Sequence, residues 1–181
     1  MTILCMARKV LICYGTRYGS TAEVAQEIGK TIRELGATAD ILNLKETKVQ
    51  PAGYDLIIIG SGIQAGKWTR EPLEFITRNR DALADTKVAL FVVCASAGSP
   101  DQCDTAQTKY LDKIVSSYPY LHIVSTGLFG GVFDFKKYSA PVRMLVKSIV
   151  KKQTEDDNLP ERIDMRDWDK VRSWARSVMQ L

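Results

Sequence analysis

The stretch KVLICYGTRYGSTAEVAQEIGKTIREL, residues 9–35, decides how the rest of the chain is read. Val10-Leu11-Ile12-Cys13-Tyr14 is a continuous apolar run of buried-strand type. Gly15 to Thr21 is a turn rich in glycine and hydroxyl groups. Val24, Ile28, Ile32 and Leu35 then recur at helical spacing. Ser20 and Glu23 have the spacing of a capping box, which places the helix start at the end of the turn. The first amides of a helix have no partner inside it and carry the positive end of its dipole. Thr16, Ser20 and Thr21 add hydroxyls, Gly19 lets the backbone close in, Arg17 adds a positive charge and Tyr18 lies between them. The turn reads as a cradle for a nucleotide phosphate, although an ordinary capped strand-to-helix turn shares part of the pattern.

Sharper phosphate motifs are missing. There is no GxxxxGK[ST], which excludes a nucleoside triphosphatase loop, and no GxGxxG dinucleotide fingerprint. Cys13 and Arg17 are too close for the Cys-x5-Arg loop of low-molecular-weight phosphatases. A hydroxyl-rich turn with little charge suits one permanently held phosphomonoester better than a transferred phosphoryl group.

The chain of 181 residues is long enough for one domain with a substantial core. A net charge of +4 is mildly basic and suits an anionic ligand, an acidic partner or an anionic membrane surface; no nucleic-acid partner is expected. Met1 to Arg8 lacks the apolar segment of a signal peptide, and no run approaches the roughly 18 apolar residues of a spanning helix. Cys5, Cys13, Cys94 and Cys103 show no CxxC spacing, so reduced thiols in a cytoplasmic protein are expected. The single histidine, His122, cannot build a metal site, and none is expected.

Strands and helices alternate along the chain. Ala39–Leu44 reads as an edge strand after Gly36 ends the first helix. Leu56–Gly60 and Val88–Cys94 are continuous apolar runs of central strands, and His122–Thr126 is a fifth. Thr69–Leu83, with Thr69 as cap, and Cys103–Ser116 read as helices. The expected fold is α/β, a doubly wound five-stranded parallel sheet in strand order 2-1-3-4-5 with helices on both faces. No linker or repeat divides it, so residues 1–181 form one domain with an added segment at about 127–152. In such sheets ligands bind beyond the carboxyl ends of the strands, where strand order reverses. Three loops meet there: Thr16–Thr21; then Ser61, Gly62, Ile63, Gln64, Ala65, Gly66, Lys67 and Trp68; then Ala95, Ser96, Ala97 and Gly98. Trp68 is expected to stack on a flat ligand, with packing on the following helix as the alternative.

The turn TRYGST resembles the phosphate loop of the flavodoxin superfamily, Thr-x-x-Gly-x-Thr, at Thr16, Gly19 and Thr21. SGIQAGKW resembles that superfamily's flavin-edge loop. Within the superfamily the chain is most similar to the flavodoxin-domain, menaquinone-dependent protoporphyrinogen IX dehydrogenases: in Thr16-Arg17, in Gly127-Leu128-Phe129, in the helix added before the end and in the closing Asp167-Trp168. The resemblance implies a flavodoxin-like fold with FMN as cofactor, bound by the three loops. It implies a flavin that carries the chemistry with no catalytic side chain. It also implies porphyrinogen and quinone as partners. A flavodoxin-type electron carrier serving a redox protein is the alternative, and a receiver-like signalling module is disfavoured by Gly15-Thr16 and Ser61 where acidic residues would stand.

Three features set this chain apart from acidic electron carriers. Arg17, Lys67 and Arg70 stand in or beside the ligand loops, where positive charge favours an anionic reduced flavin and a less negative potential. Ala95 to Cys103 has no aromatic to cover the flavin, which leaves that face open or covered by Phe129, Phe133 or Phe135. Gly130-Gly131 gives the added segment a flexible start, and Ser139-Ala140-Pro141 opens an amphipathic helix. Its apolar side is Val142, Leu145, Val146, Ile149 and Val150; its cations are Arg143, Lys147, Lys151 and Lys152. That helix either packs on the domain or meets anionic lipid through residues 139–152, at the inner face of the cell membrane. Glu155-Asp156-Asp157 reads as a solvated loop. The closing helix, capped by Asp167, buries Trp168, Val171, Trp174, Ala175 and Val178. Oligomeric state is left open.

Overall fold

The computed structural model describes residues 8–154 and 158–181, and the side chains of 153 and 154 are excluded. Cys5, most of the N-terminal stretch and Glu155-Asp156-Asp157 therefore lie outside the described residues. In chain order the main elements are β1 (Lys9–Gly15), α1 (Ser20–Glu34), β2 (Thr38–Asn43), β3 (Leu56–Gln64), β4 (Lys67–Trp68), α2 (Arg70–Arg78), α3 (Arg80–Ala84), β5 (Lys87–Cys94), α4 (Cys103–Gln107), α5 (Lys113–Ser117), β6 (His122–Gly130), β7 (Val132–Asp134), α6 (Ala140–Thr154), β8 (Arg162–Asp164) and α7 (Trp168–Val178). A π turn, Thr108–Asp112, joins α4 to α5, so the expected helix 103–116 is present with a bulge in its middle.

The parallel sheet runs β2-β1-β3-β5-β6, with β4 paired antiparallel to β3. This is the 2-1-3-4-5 order of the main strands. Alternation along β1 sends Val10, Ile12 and Tyr14 to one face and Leu11 and Cys13 to the other. The first face packs on Val24, Ile28 and Ile32 of α1 and on Val171, Ala175 and Val178 of α7. The second packs on Phe75, Ile76, Leu83, Tyr110 and Leu111. Because both faces are covered, the central strands are apolar throughout. Trp168 and Trp174 pack on the first face while only partly buried, and Asp167 Oδ1 accepts the Lys170 N–H at 3.0 Å as the cap of α7.

Register aligns the carboxyl ends of the strands. Gly15 stands beside Ser61, Gly62 beside Val93, and Cys94 beside Gly130. Two strands run further than their apolar cores suggest, β3 to Gln64 and β6 to Gly130. Gly130-Gly131 is consequently close-packed and not a flexible start. A Cβ on Gly130 would stand 1.9 Å from the Met165 carbonyl oxygen, and one on Gly131 3.0 Å from Ala95 N.

Beyond β6 the added segment forms its own small layer. β7 and β8 pair antiparallel, and Phe135, Tyr138 and Val150 make a third apolar cluster that Tyr18 joins from the turn after β1. The layer is tied to α1 by Arg166, whose side chain is 2% exposed and reaches Glu23 at 2.8 Å and Asp164 at 2.5 Å. Hydrogen bonding from Arg166 holds the Asp164 carboxyl below the ordinary range. The stabilisation that follows is complete above the unfolded carboxylate value of about 3.9 and is lost as pH falls through the lower folded value. Urea midpoints of the wild type should therefore fall more steeply than those of Asp164→Asn between about pH 5 and pH 2. Parallel slopes would show that the pair carries no pH-dependent stability.

Candidate functional site

The turn after β1 is built around Gly19. Its φ of +98° lies in the left-handed region that glycine favours, and it stands as the cap position of α1. Its N–H donates to Thr16 Oγ1 at 3.1 Å. The capping box expected from Ser20 and Glu23 is absent. Ser20 is already helical, no side chain caps α1, and Glu23 is drawn away to Arg166. The physical reason is competition: a carboxylate beside a buried guanidinium gains more from a charge-assisted bond than from one amide. The consequence is that the leading amides of α1 are left without a side-chain acceptor.

Thr21 adds the clearest sign that a hydrogen-bond acceptor belongs at this turn. Its hydroxyl is 1% exposed and has no hydrogen-bond partner among the described residues. Buried polar atoms are almost always paired, so an orphan at a helix N-terminus points to an acceptor that belongs there. Gly62 makes the approach possible, since a Cβ there would stand 2.8 Å from Thr21 Oγ1. An acceptor-rich phosphomonoester fits this set of donors.

The second loop is a hairpin and not an open loop. β3 turns into β4 through Ala65 and Gly66, at φ +48° and +75°, the two positive values of a type I′ turn. Ser61 is fully buried, and its Oγ accepts the Thr69 N–H at 2.9 Å and lies 3.1 Å from Thr69 Oγ1. That pairing fixes how β3 leaves the sheet and occupies the Thr69 hydroxyl that was expected to cap α2. Trp68 is buried in the second-face core, and its Nε1–H donates to the Tyr110 carbonyl at 2.7 Å. The indole is thus a core residue and does not stack on a ligand. Its N–H needs a buried acceptor, and the Tyr110 carbonyl supplies it. Arg70 is paired with Glu74, which offsets its charge beside the second loop.

The third loop is a short 3-10 turn, Ala95–Gly98. Gly98 packs under Met165, and the Ala97 carbonyl accepts from Cys103 Sγ at 3.6 Å. Burial pushes the Cys94 thiol up to about 11, so it stays protonated at neutral pH and offers no nucleophile. Cys13 is raised further by complete burial.

These loops border a cavity of about 440 Å³. Thr16, Arg17, Tyr18, Ser20, Thr21, Gly62, Ile63, Gln64, Ala65 and Ala95 line it. Gly19, Ser61, Gly66, Lys67, Trp68, Ser96, Ala97 and Gly98 lie outside the lining. The wall that sequence reasoning missed comes from the strand ends and the added segment: Thr69, Val93, Cys94, Gly131, Val132 and Tyr138. Of the three phenylalanines considered as covers, Phe133 lines the cavity. Phe129 lies in the first-face core against Trp174, and Phe135 is buried in the third cluster. Val142, Leu145, Val146 and Ile149 of α6 close the far side. The spacing of those four residues was legible as an apolar helix face; what it faced was not.

A strand-switch cleft with an uncapped helix end and an orphaned hydroxyl defines a phosphate-binding domain of the doubly wound class. The family model for the flavodoxin domain matches residues 11–159, and the chain belongs to that family. FMN is its cofactor, and the residues present fit that group. Protoporphyrinogen IX dehydrogenase [quinone] of Escherichia coli K12 is 25% identical over 174 residues, covering 96% of each chain. The protein of the same name from Leishmania major is 22% identical over 175 residues, 96% of this chain and 75% of the other. Flavodoxin 1 from Bacillus cereus shares the fold with a TM-score of 0.51 at 17% identity, covering 83% of this chain and 99% of its own.

Proposed function

We propose that the protein is an FMN-dependent dehydrogenase that oxidises protoporphyrinogen IX to protoporphyrin IX with a quinone as acceptor. The observation that carries this reading is the apolar wall that α6 adds to the cavity. Leu145 is 63% and Ile149 48% exposed, although both line the cleft. Apolar groups left open at a site mouth favour a large apolar partner there. An electron carrier that exchanges electrons across a flavin edge gains nothing from them. The similarity to the named dehydrogenases extends over nearly the whole chain and supports the same substrate.

When bound, FMN would supply two-electron redox chemistry; because the substrate loses six hydrogens on becoming the porphyrin, the full oxidation would take three such rounds and reduce three quinones to quinols. The chain supplies position. Thr21 and the leading amides of α1 would hold the phosphate, and Gly62 to Ala65 would border the isoalloxazine ring. Arg17 lines the cleft and favours negative charge within it. Phe133 and the α6 side chains would offer the substrate side an apolar wall. Arg143 donates to the Tyr138 carbonyl at 3.3 Å, and Lys147 lies 5.2 Å from the Phe135 ring centroid. Both place positive charge beside the wall, complementary to substrate carboxylates. Met144 is 72% exposed on this basic helix, which suits contact with anionic lipid, where a quinone is met. Among the described residues no helix is long and apolar enough to cross a membrane.

The test is anaerobic turnover of protoporphyrinogen IX by FMN-loaded protein, with quinone in vesicles and porphyrin fluorescence as readout. The rate is expected to exceed the flavin-free control and to be greater with anionic than with neutral vesicles. A rate equal to the control would leave the protein as an electron carrier. Equal rates in the two vesicle types would remove the lipid contact alone.

A further inference from the structure

We infer that Lys137, carried by the added segment, is a cation for the FMN phosphate and sets the preference for FMN over riboflavin. The lysine lies far along the chain from the phosphate turn, yet its Nζ donates to the Tyr18 carbonyl at 3.0 Å. The same nitrogen stands 3.6 Å from where a Cβ on Gly19 would be. It therefore lies over the turn whose glycine begins α1. Among the described residues the carboxylate it approaches, Asp134, is 4.0 Å away, too far for a close hydrogen-bonded ion pair, and the lysine side chain is half-exposed.

An ammonium has three N–H donors, and the Tyr18 carbonyl takes one. A phosphomonoester accepts only, and it is drawn to this place by the uncapped amides of α1 and the orphaned Thr21 hydroxyl. The ring contact between Tyr18 and Tyr138, with centroids 4.7 Å apart, holds the lysine's neighbour against the same turn. Phosphate and segment are thereby linked: the anion that fills the turn also neutralises the amine that pins β7 and its following residues over it. The inference rests on FMN as cofactor and not on the identity of the substrate.

Riboflavin lacks the phosphate, so a residue acting on that group is silent toward it. The experiment titrates full-chain apoprotein with FMN and with riboflavin by flavin fluorescence, comparing wild type with Lys137→Gln and Lys137→Arg. Lys137→Gln is expected to raise the FMN Kd about fivefold, the size of one exposed charge-assisted bond, and to leave the riboflavin Kd unchanged. Lys137→Arg should retain most FMN affinity, and the deficit of the glutamine variant should shrink as salt is added. An unchanged FMN Kd would overturn the inference. So would equal weakening of both flavins, because the lysine would then only order the segment. Wild-type protein that binds neither flavin would overturn the cofactor assignment itself.

Discussion

Gly130→Ala is expected to destabilise the protein by about 3 kcal/mol or more, read as a drop in the urea midpoint of the flavin-free form. The new Cβ would stand 1.9 Å from the Met165 carbonyl oxygen and 2.7 Å from its carbon. Both are backbone atoms, so no rotamer change relieves the clash. The Met165 N–H also donates to the Gly131 carbonyl at 3.0 Å, which couples the two segments on both sides of the contact. Relief requires β6 and the stretch after β8 to part, and Arg166 follows Met165 directly. Parting would loosen its bonds to Asp164 and Glu23. Gly36→Ala is the control. That glycine has φ +85° and nothing within 4 Å, so it isolates backbone strain of roughly 1 kcal/mol. If Gly130→Ala costs no more than Gly36→Ala, β6 does not lie against Met165 as described.

The contrast between those two glycines shows what a sequence makes legible. Gly36 could be read as a helix terminator because its role is local, a left-handed residue after the last turn. Gly130-Gly131 reads as a flexible start in the sequence because the backbone that crowds it is distant in sequence on both sides, Met165 for Gly130 and Cys94-Ala95 for Gly131. The central strands were legible for a related reason. Burial on both faces makes Val10–Tyr14, Leu56–Ile59 and Val88–Cys94 apolar at every position. The turn after β1 is legible as a tight strand-to-helix connection because Gly19 and Thr21 act within a few residues of one another. Ser20 and Glu23 had capping spacing, but a guanidinium distant in sequence took the carboxylate. Trp68 was misread because the carbonyl that receives its N–H belongs to Tyr110, in a helix whose π turn no spacing rule anticipates. The apolar face of α6 was visible as periodicity. That it walls the cleft depends on where β7 and β8 carry it.

Thr21→Val is expected to separate folding stability from cofactor affinity. The Thr21 hydroxyl is buried with no hydrogen-bond partner among the described residues. An unpaired buried hydroxyl costs about 1–3 kcal/mol, and valine keeps the branched shape without it. The apo variant should gain about 1 kcal/mol by urea denaturation. FMN affinity should fall about tenfold or more, because a hydrogen bond to a charged phosphate is lost at a desolvated position. Linkage then predicts a reversal. At an FMN concentration well above both Kd values, a tenfold loss of affinity removes about 1.4 kcal/mol of ligand stabilisation, more than the apo protein gained. The variant should melt above the wild type without flavin and below it with flavin in excess. A structural hydroxyl would give destabilisation in both states, and a hydroxyl with no bearing on phosphate would give stabilisation in both. Only a donor held in reserve for the cofactor makes the two melting curves exchange places.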